Sequence, residues 1–179
     1  VGARALETDF ILVSTGSSPR QPDCFDFNDP AVYDSDSFLR IDQLPKRLAV
    51  IGGGVIGSEY ACVFATLGVK IQVIESRARL LSFLDKEISD HLMDAMRSSG
   101  IELHLGEGVE RLERQGEKLR LTLKDGREML VDKALVSAGR TGNTRGIGLQ
   151  EVGVELDARG QIIVDAQFRT SIPHIFAAG

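Results

Sequence analysis

The sequence has no tryptophan, only two cysteines and only five prolines in 179 residues. No apolar run approaches the ~20 residues that span a bilayer as a helix, so no membrane contact is expected. The two cysteines, Cys24 and Cys62, lie far apart without CxxC spacing. That excludes a recognisable zinc motif, and no metal site is expected. Two scattered thiols fit a reducing, cytoplasmic setting. Positive charge is also in short supply: 21 Lys and Arg stand against 26 Asp and Glu, for a net charge of -5. With a pI near 5.3 and no basic cluster, a nucleic-acid surface is not expected. No signal peptide is visible. The chain opens on Val1 and closes on Gly179 directly after an apolar run, which reads as two ends cut from a longer chain.

Catalytic side chains are equally sparse. His91, His104 and His174 are isolated in sequence, and none sits in a recognisable motif. Ser14, Ser17 and Ser137 lack the nucleophile-elbow pattern, so hydrolase chemistry has no support. No catalytic residue is assigned within this chain.

What is present is ordinary globular material, 42% hydrophobic and 26% charged, long enough to bury about 70% of its unfolded surface. Residues 10–14 (FILVS) read as a short buried strand, ended by the turn residues 15–19. The polar stretch 20–45 reads as a long connection with little regular structure, a boundary between folding units. The pattern then sharpens. A strand over 48–51 precedes three glycines, a helix over 55–67 stopped by Gly68, and a strand over 70–74. Asp85 opens a second helix with Ile88, Leu92, Ala95 and Met96 as its apolar stripe and Gly100 as its stop. A strand follows over 101–105. Right-handed crossovers make this order a parallel sheet with helices packed on it. Alternating segments at 109–115, 118–123 and 128–131, with turns at Gly116 and Asp125-Gly126, read as an antiparallel meander. Residues 133–137 return to the parallel sheet, and the tail carries a strand over 161–164. The fold class is α/β: a Rossmann-like parallel sheet with an antiparallel three-stranded meander.

The chemistry sits at Gly52-Gly53-Gly54-Val55-Ile56-Gly57. A lone GxGxxG motif says little, but here a buried strand precedes it, a helix follows at once, a second strand follows the helix, and the acid Glu75 ends that strand. This is the mechanical requirement for a dinucleotide site. Gly52 permits the tight turn. Gly54, lacking Cβ, lets a pyrophosphate approach the backbone. Gly57 lets the helix pack close to the sheet. The free N–H groups and the positive helix end then face the phosphates. Glu75 can accept both hydroxyl hydrogens of the adenosine ribose. A 2′-phosphate about 5 Å from Glu75 would meet roughly 5 kcal/mol of repulsion at an effective dielectric of about 20, which favours NAD(H). Arg77 and Arg79 lie just beyond, and charge-assisted hydrogen bonds from them can offset most of that repulsion. Tolerance of NADP(H) therefore stays open. Glu59 is placed in the first turn of the helix, where the dipole favours an acid.

With these residues in view, the chain resembles the FAD-dependent pyridine nucleotide-disulfide oxidoreductases. VSTGSSPR (13–20) resembles the Thr-Gly motif that closes the first part of that family's FAD domain. IGGGVIGSEYA (51–61) resembles its NAD(P) loop, VSAGRTGNT (136–144) its second Gly-Arg motif, and TSIPHIFAAG (170–179) its return to the FAD domain. The resemblance implies a first FAD-domain segment and connection over 1–45, an NAD(P)-binding domain over 46–143, and a return segment over 144–179. It implies that Gly52 to Gly57, with Ser76 and Arg77 beside Glu75, hold the dinucleotide. Glu59 would lie beside the nicotinamide, Val109 would pack by adenine through its backbone, and Gly139 would let the nicotinamide approach. Thr15, Gly16 and Ser17 would line the FAD site of the longer protein, whose remaining FAD and dimerisation domains lie outside this chain and which is expected to form a homodimer. The redox cysteine pair of the family would lie upstream of Val1, so Cys24 and Cys62 are not that pair. Segments 33–39, 76–90 and 139–144 are similar to the branch that exchanges hydride between NADH and NADP through FAD. The dihydrolipoamide-oxidising branch shares the framework and the acid at Glu75, and a non-catalytic NAD sensor is a further alternative.

Overall fold

A computed structural model describes residues 5–179. The chain divides into two compact units, Pro19–Gly139 and a unit that joins the residues up to Ser18 with Arg140–Gly179.

The unit Pro19–Gly139 is built on five parallel strands: β3 (Val32–Asp34), β4 (Arg47–Ile51), β5 (Lys70–Glu75), β6 (Glu102–Leu105) and β10 (Lys133–Val136). Their order across the sheet is β3-β10-β4-β5-β6. The chain steps outward from β4 to β5 to β6, then returns to the other side of β4. The switch point therefore falls between β4 and β10, where open α/β sheets bind their ligands.

Alternation along the strands sorts the core into two layers. Leu48 and Val50 of β4, with Ile71 and Val73 of β5, pack against Ala61 and Phe64 of helix α1 (Val55–Thr66) and against Met93 and Met96 of helix α2 (Lys86–Ser98). Ala49, Ile74, Ala134 and Val136 face the other way, onto Leu119, Leu121, Leu123 and Val131. Those partners belong to the antiparallel meander β7 (Val109–Gln115), β8 (Lys118–Leu123) and β9 (Glu128–Val131). Both helices thus cover one face of the sheet and the meander covers the other. Burial on both faces explains why the parallel strands read as continuous apolar runs.

Two expectations fail in this unit. The segment 20–45 is not simply irregular, because it contributes the edge strand β3, paired in register with β10, and a 3₁₀ turn over Ser37–Arg40. Phe38 from that turn is buried and sits 4.9 Å from Phe64 and 5.5 Å from Tyr60, centroid to centroid. The hydroxyl of Tyr60 donates to the Ser35 carbonyl at 3.1 Å. Helix α2 is also turned from its expected stripe: Ser89, Met93 and Met96 are buried, while Ile88 is 56% exposed. A serine can occupy the buried face because its hydroxyl donates to the Leu80 carbonyl at 2.7 Å, so no polar group goes unpaired.

In the second unit, β1 (Ile11–Val13) pairs in parallel with β12 (Ile175–Ala177), and β2 (Ser17–Pro19) pairs with β11 (Arg140–Gly142). Leu149, Val154 and Ile175 form its small core. Residues 10–14 are not buried as expected: Phe10 and Leu12 are 67% and 66% exposed. Among the described residues no layer covers the far side of this two-stranded ladder. The expected strand over 161–164 reduces to a single bridge between Leu156 and Ile162.

Asp34, buried at the end of β3, locks the turn that follows. Its Oδ1 accepts from the backbone N–H groups of Asp36 and Ser37 and from the Ser37 hydroxyl, and its Oδ2 accepts from Gln21 Nε2 at 2.6 Å. Burial alone would raise its pKa, but the hydrogen bonds from Ser37, Gln21 and Asp36 outweigh it and hold the carboxyl below its ordinary range. A depressed folded pKa stabilises the fold above the unfolded value and loses that contribution as pH falls through the folded one. Urea titrations at several pH values are expected to show stability falling below about pH 4. Asp34→Asn should lower stability by about 1–3 kcal/mol at pH 7 and shrink that acid limb.

Candidate functional site

The glycine loop leaves β4 at the switch point, and its shape follows from what surrounds each glycine. Gly52 has φ +111°, and a Cβ there would meet the Ser137 carbonyl oxygen at 2.5 Å. Only glycine accepts both the conformation and the approach. A Cβ on Gly53 would fall 2.3 Å from Cδ2 of the buried Leu80, and one on Gly57 would fall 1.9 Å from the Gly52 carbonyl oxygen. Gly54 is different, since a Cβ there would meet nothing within 4 Å. Three glycines are needed by the protein's own packing, whereas the fourth borders open space.

Gly54 is the N-cap of α1, in extended conformation with no side-chain cap. The first N–H groups of the helix, at Val55 and Ile56, therefore have no capping side chain. They carry the positive end of the helix dipole. The Ser58 N–H donates to the Gly54 carbonyl at 3.0 Å, closing the first turn.

Glu75 stands at the mouth of this loop and is buried. Its Oε2 accepts from the Gly53 N–H at 2.7 Å. Its Oε1 accepts from the Arg77 N–H at 2.8 Å and from the Ser76 hydroxyl at 3.2 Å. The carboxylate thus ties the tip of β5 to the glycine loop. Arg77 is exposed, its Nε 3.9 Å from Glu75 Oε1 and its Nη1 donating to the Ser82 hydroxyl at 3.2 Å. Arg79 keeps a buried Nη1 with no hydrogen-bond partner.

The other expected residues fall at graded distances. The Glu107 N–H donates to the Glu75 carbonyl at 3.1 Å, which starts the segment leading to Val109 beside the tip of β5. Val109 pairs with Leu123 and turns its side chain to the meander core, leaving its backbone as the candidate contact. Gly139 follows Ser137 with φ +95° and open space where a Cβ would stand. Glu59 is exposed on α1 but not in the first turn. The helix starts at Val55, so Glu59 lies one turn further on, and the helix dipole gives no reason for an acid there. In the other unit, Thr15, Gly16 and Ser17 line a cavity of about 280 Å³ with Gly142 and Thr144. The Ser17 hydroxyl accepts from Arg140 Nε at 2.8 Å, and Asn143 Nδ2 donates to the Thr15 carbonyl at 3.1 Å.

Two residues that shape the site were passed over in the sequence. Ser137 closes the loop from β10, its hydroxyl donating toward the Ile51 and Gly52 carbonyls at 3.1 and 3.0 Å. Leu80 packs over Gly53 and is fully buried. Neither carries a local signal. Each acts through a contact that only the tertiary fold creates.

A strand, a glycine turn, a helix start and an acid on the adjacent strand, gathered at a switch point, define a dinucleotide-binding α/β domain. The model of the pyridine nucleotide-disulphide oxidoreductase family matches residues 1–179, and the chain belongs to that family. It is 45% identical over 174 residues to a soluble pyridine nucleotide transhydrogenase of Pseudomonas aeruginosa, covering 97% of this chain and 38% of that protein. The crystal structure of LpdA from Mycobacterium tuberculosis superposes with a TM-score of 0.87 at 31% identity, over 96% of this chain and 37% of that one. The water-forming NADH oxidase from Lactobacillus brevis, bound to NADH, superposes with a TM-score of 0.82 at 29% identity, over 96% and 39%. The chain therefore spans well under half the length of these relatives.

The glycine contacts separate packing from binding. Gly57→Ala forces a Cβ against the Gly52 carbonyl, and the loop or helix must shift. We expect a loss of about 1–3 kcal/mol in denaturant unfolding. Gly54→Ala adds a methyl to open space at an ordinary φ of -79°, and unfolding should change by no more than about 0.5 kcal/mol.

Proposed function

We propose that Gly52 to Gly57 and Glu75 hold NAD(H), and that the whole protein is an FAD-dependent oxidoreductase exchanging hydride between NADH and NADP. The observation that carries this reading is the contrast among the glycines. Gly52, Gly53 and Gly57 are closed by protein atoms, and Gly54 alone opens outward at an uncapped helix start. A pyrophosphate fits that opening, where the N–H groups of Val55 and Ile56 can donate to it. Glu75 is already pinned on both oxygens, yet each carboxylate oxygen has more than one acceptor site, so its remaining capacity can take the adenosine ribose hydroxyls. Val109 would offer its backbone to adenine. Gly139 would leave room for the nicotinamide, beside which Glu59 would lie. Bound nicotinamide and flavin would supply the hydride chemistry; the protein's part is position and electrostatics.

Within this reading the unit around the glycine loop is the NAD(P)-binding domain. Residues 5–18 and 140–179 are pieces of an FAD-binding domain, in which Thr15, Gly16 and Ser17 contact FAD. The 280 Å³ cavity they line is small for a whole flavin dinucleotide. The name and 45% identity of the Pseudomonas relative favour the transhydrogenase reading over dihydrolipoamide oxidation. A cytoplasmic homodimer, assembled through segments that the longer relatives possess, belongs to the same proposal. No helix among the described residues is long and apolar enough to cross a membrane.

Fluorescence titration of this chain with NADH tests the site. We expect weak, saturable binding, reduced at least about tenfold in Gly54→Ala with its unfolding curve unchanged. Equal binding by wild type and Gly54→Ala would remove the proposed role of the loop. The purified chain should be colourless and show no turnover; a yellow, FAD-loaded preparation would contradict the assignment of an incomplete flavin site.

Cofactor preference has its own test. Adenosine 2′-phosphate should compete more weakly than adenosine monophosphate for wild type, and Glu75→Gln should narrow the gap by relieving charge while Arg77 and Arg79 remain. No competition by the 2′-phosphate in either protein would end the idea that NADP(H) is tolerated.

A further inference from the structure

At the other end of the sheet from the glycine loop, a cleft of about 600 Å³ opens between the first residues of the parallel strands and the meander. It is about five residues, on the order of 16 Å, along the strands from Gly52. Its volume is that of small-ligand pockets, and the dinucleotide site leaves it unused.

The charges lining it are arranged as a dipole. Arg47 and Lys70 begin β4 and β5 and are register partners. They stand side by side on one face, where like charges repel, and neither has a side-chain hydrogen-bond or ion-pair partner among the described residues. Asp132 takes the backbone N–H of Arg47, not its guanidinium. Two residues along β5, Gln72 is the register partner of Glu102 on β6. Gln72 Nε2 donates to Glu102 Oε2 at 3.0 Å, while Gln72 Oε1 is buried with no partner. The one cationic candidate within 4 Å of Glu102 among the described residues is His104, at 3.9 Å, whose pKa burial and Arg127 lower. The remaining charges of the cleft, Arg120 and Glu128, pair with each other at 3.7 Å. Two unneutralised cations therefore line one end, and an unneutralised acid lines the other.

We infer that this cleft binds a small zwitterion of dipeptide size, its carboxylate on Arg47 and Lys70 and its ammonium on Glu102. Strand spacing puts these groups about 7–12 Å apart at the backbone, and an extended dipeptide is about 7 Å long. The ammonium supplies the counter-charge that Glu102 lacks. The ligand carboxylate relieves the repulsion between the adjacent cations. The site is independent of the dinucleotide reading, and either can fail alone.

The test is amide-resolved NMR of this chain titrated with glycyl-leucine. Saturable shifts are expected at the Gln72 side-chain amide and along residues 46–48 and 70–72. N-acetyl-glycyl-leucine and glycyl-leucinamide should each bind at least about tenfold more weakly, as each loses one charged contact. Arg47→Ala with Lys70→Ala should weaken glycyl-leucine by a similar factor, and Glu102→Gln should erase the preference for the free amine. These are surface or cleft-lining positions, and the dispersed amide spectrum and urea unfolding of each variant check that the fold is intact. Absence of saturable shifts at millimolar peptide, equal binding of the blocked peptides, or displacement by inorganic phosphate as effective as by peptide would each overturn the inference.

Discussion

Helix α1 can start where it does because nothing larger than hydrogen projects from Gly57. The Gly52 carbonyl oxygen occupies the space a Cβ would take, 1.9 Å away, and the Ser137 hydroxyl stands 2.6 Å from the same point. This close approach draws together the end of β4, the start of α1 and the end of β10, which are the three elements that meet at the switch point. Any side chain there would push the helix off the sheet and open the loop. The anion binding proposed for the loop is then a consequence of backbone placement. No side chain caps the helix start at Gly54, the first N–H groups of an α-helix lack intrahelical partners, and Gly54 borders open space beside them.

Glu75 stabilises the same arrangement from the neighbouring strand. Its carboxylate bonds to the Gly53 N–H and to the turn at Ser76 and Arg77, so the acid proposed to read the ribose also fixes the loop proposed to hold the pyrophosphate. The two parts of the site are thereby held in one geometry before any ligand arrives, which lowers the ordering cost of binding. It also means that a substitution at Glu75 acts on loop shape as well as on charge. The amide variant, which keeps an acceptor for Gly53, is the more informative change.

Features set by local chemistry were legible in the sequence. The meander strands fall on the expected bounds, 109–115, 118–123 and 128–131, because alternation and glycine turns are short-range signals. The glycine loop and Glu75 were legible for the same reason: the motif encodes its own turn, helix start and strand end. Features created by distant pairing were not. Strand β3 is three residues within a polar stretch and exists because β10 pairs with it a hundred positions on. Ser137 and Leu80 shape the loop through contacts that no spacing reveals. The stripe assigned to α2 left out Ser89, which is buried because the Leu80 carbonyl satisfies its hydroxyl. Residues 10–14 have the composition of a core strand, yet Phe10 and Leu12 lie exposed, since an apolar run does not specify what lies opposite it.

A crystal structure of this chain with NADH bound tests the central claim most directly. Pyrophosphate oxygens are expected within hydrogen-bonding distance, about 3 Å, of the Val55 or Ile56 N–H, passing over Gly54, with an adenosine ribose hydroxyl on the Glu75 carboxylate. A dinucleotide seated elsewhere, or one that touches the loop while its ribose lies out of reach of Glu75, would contradict it.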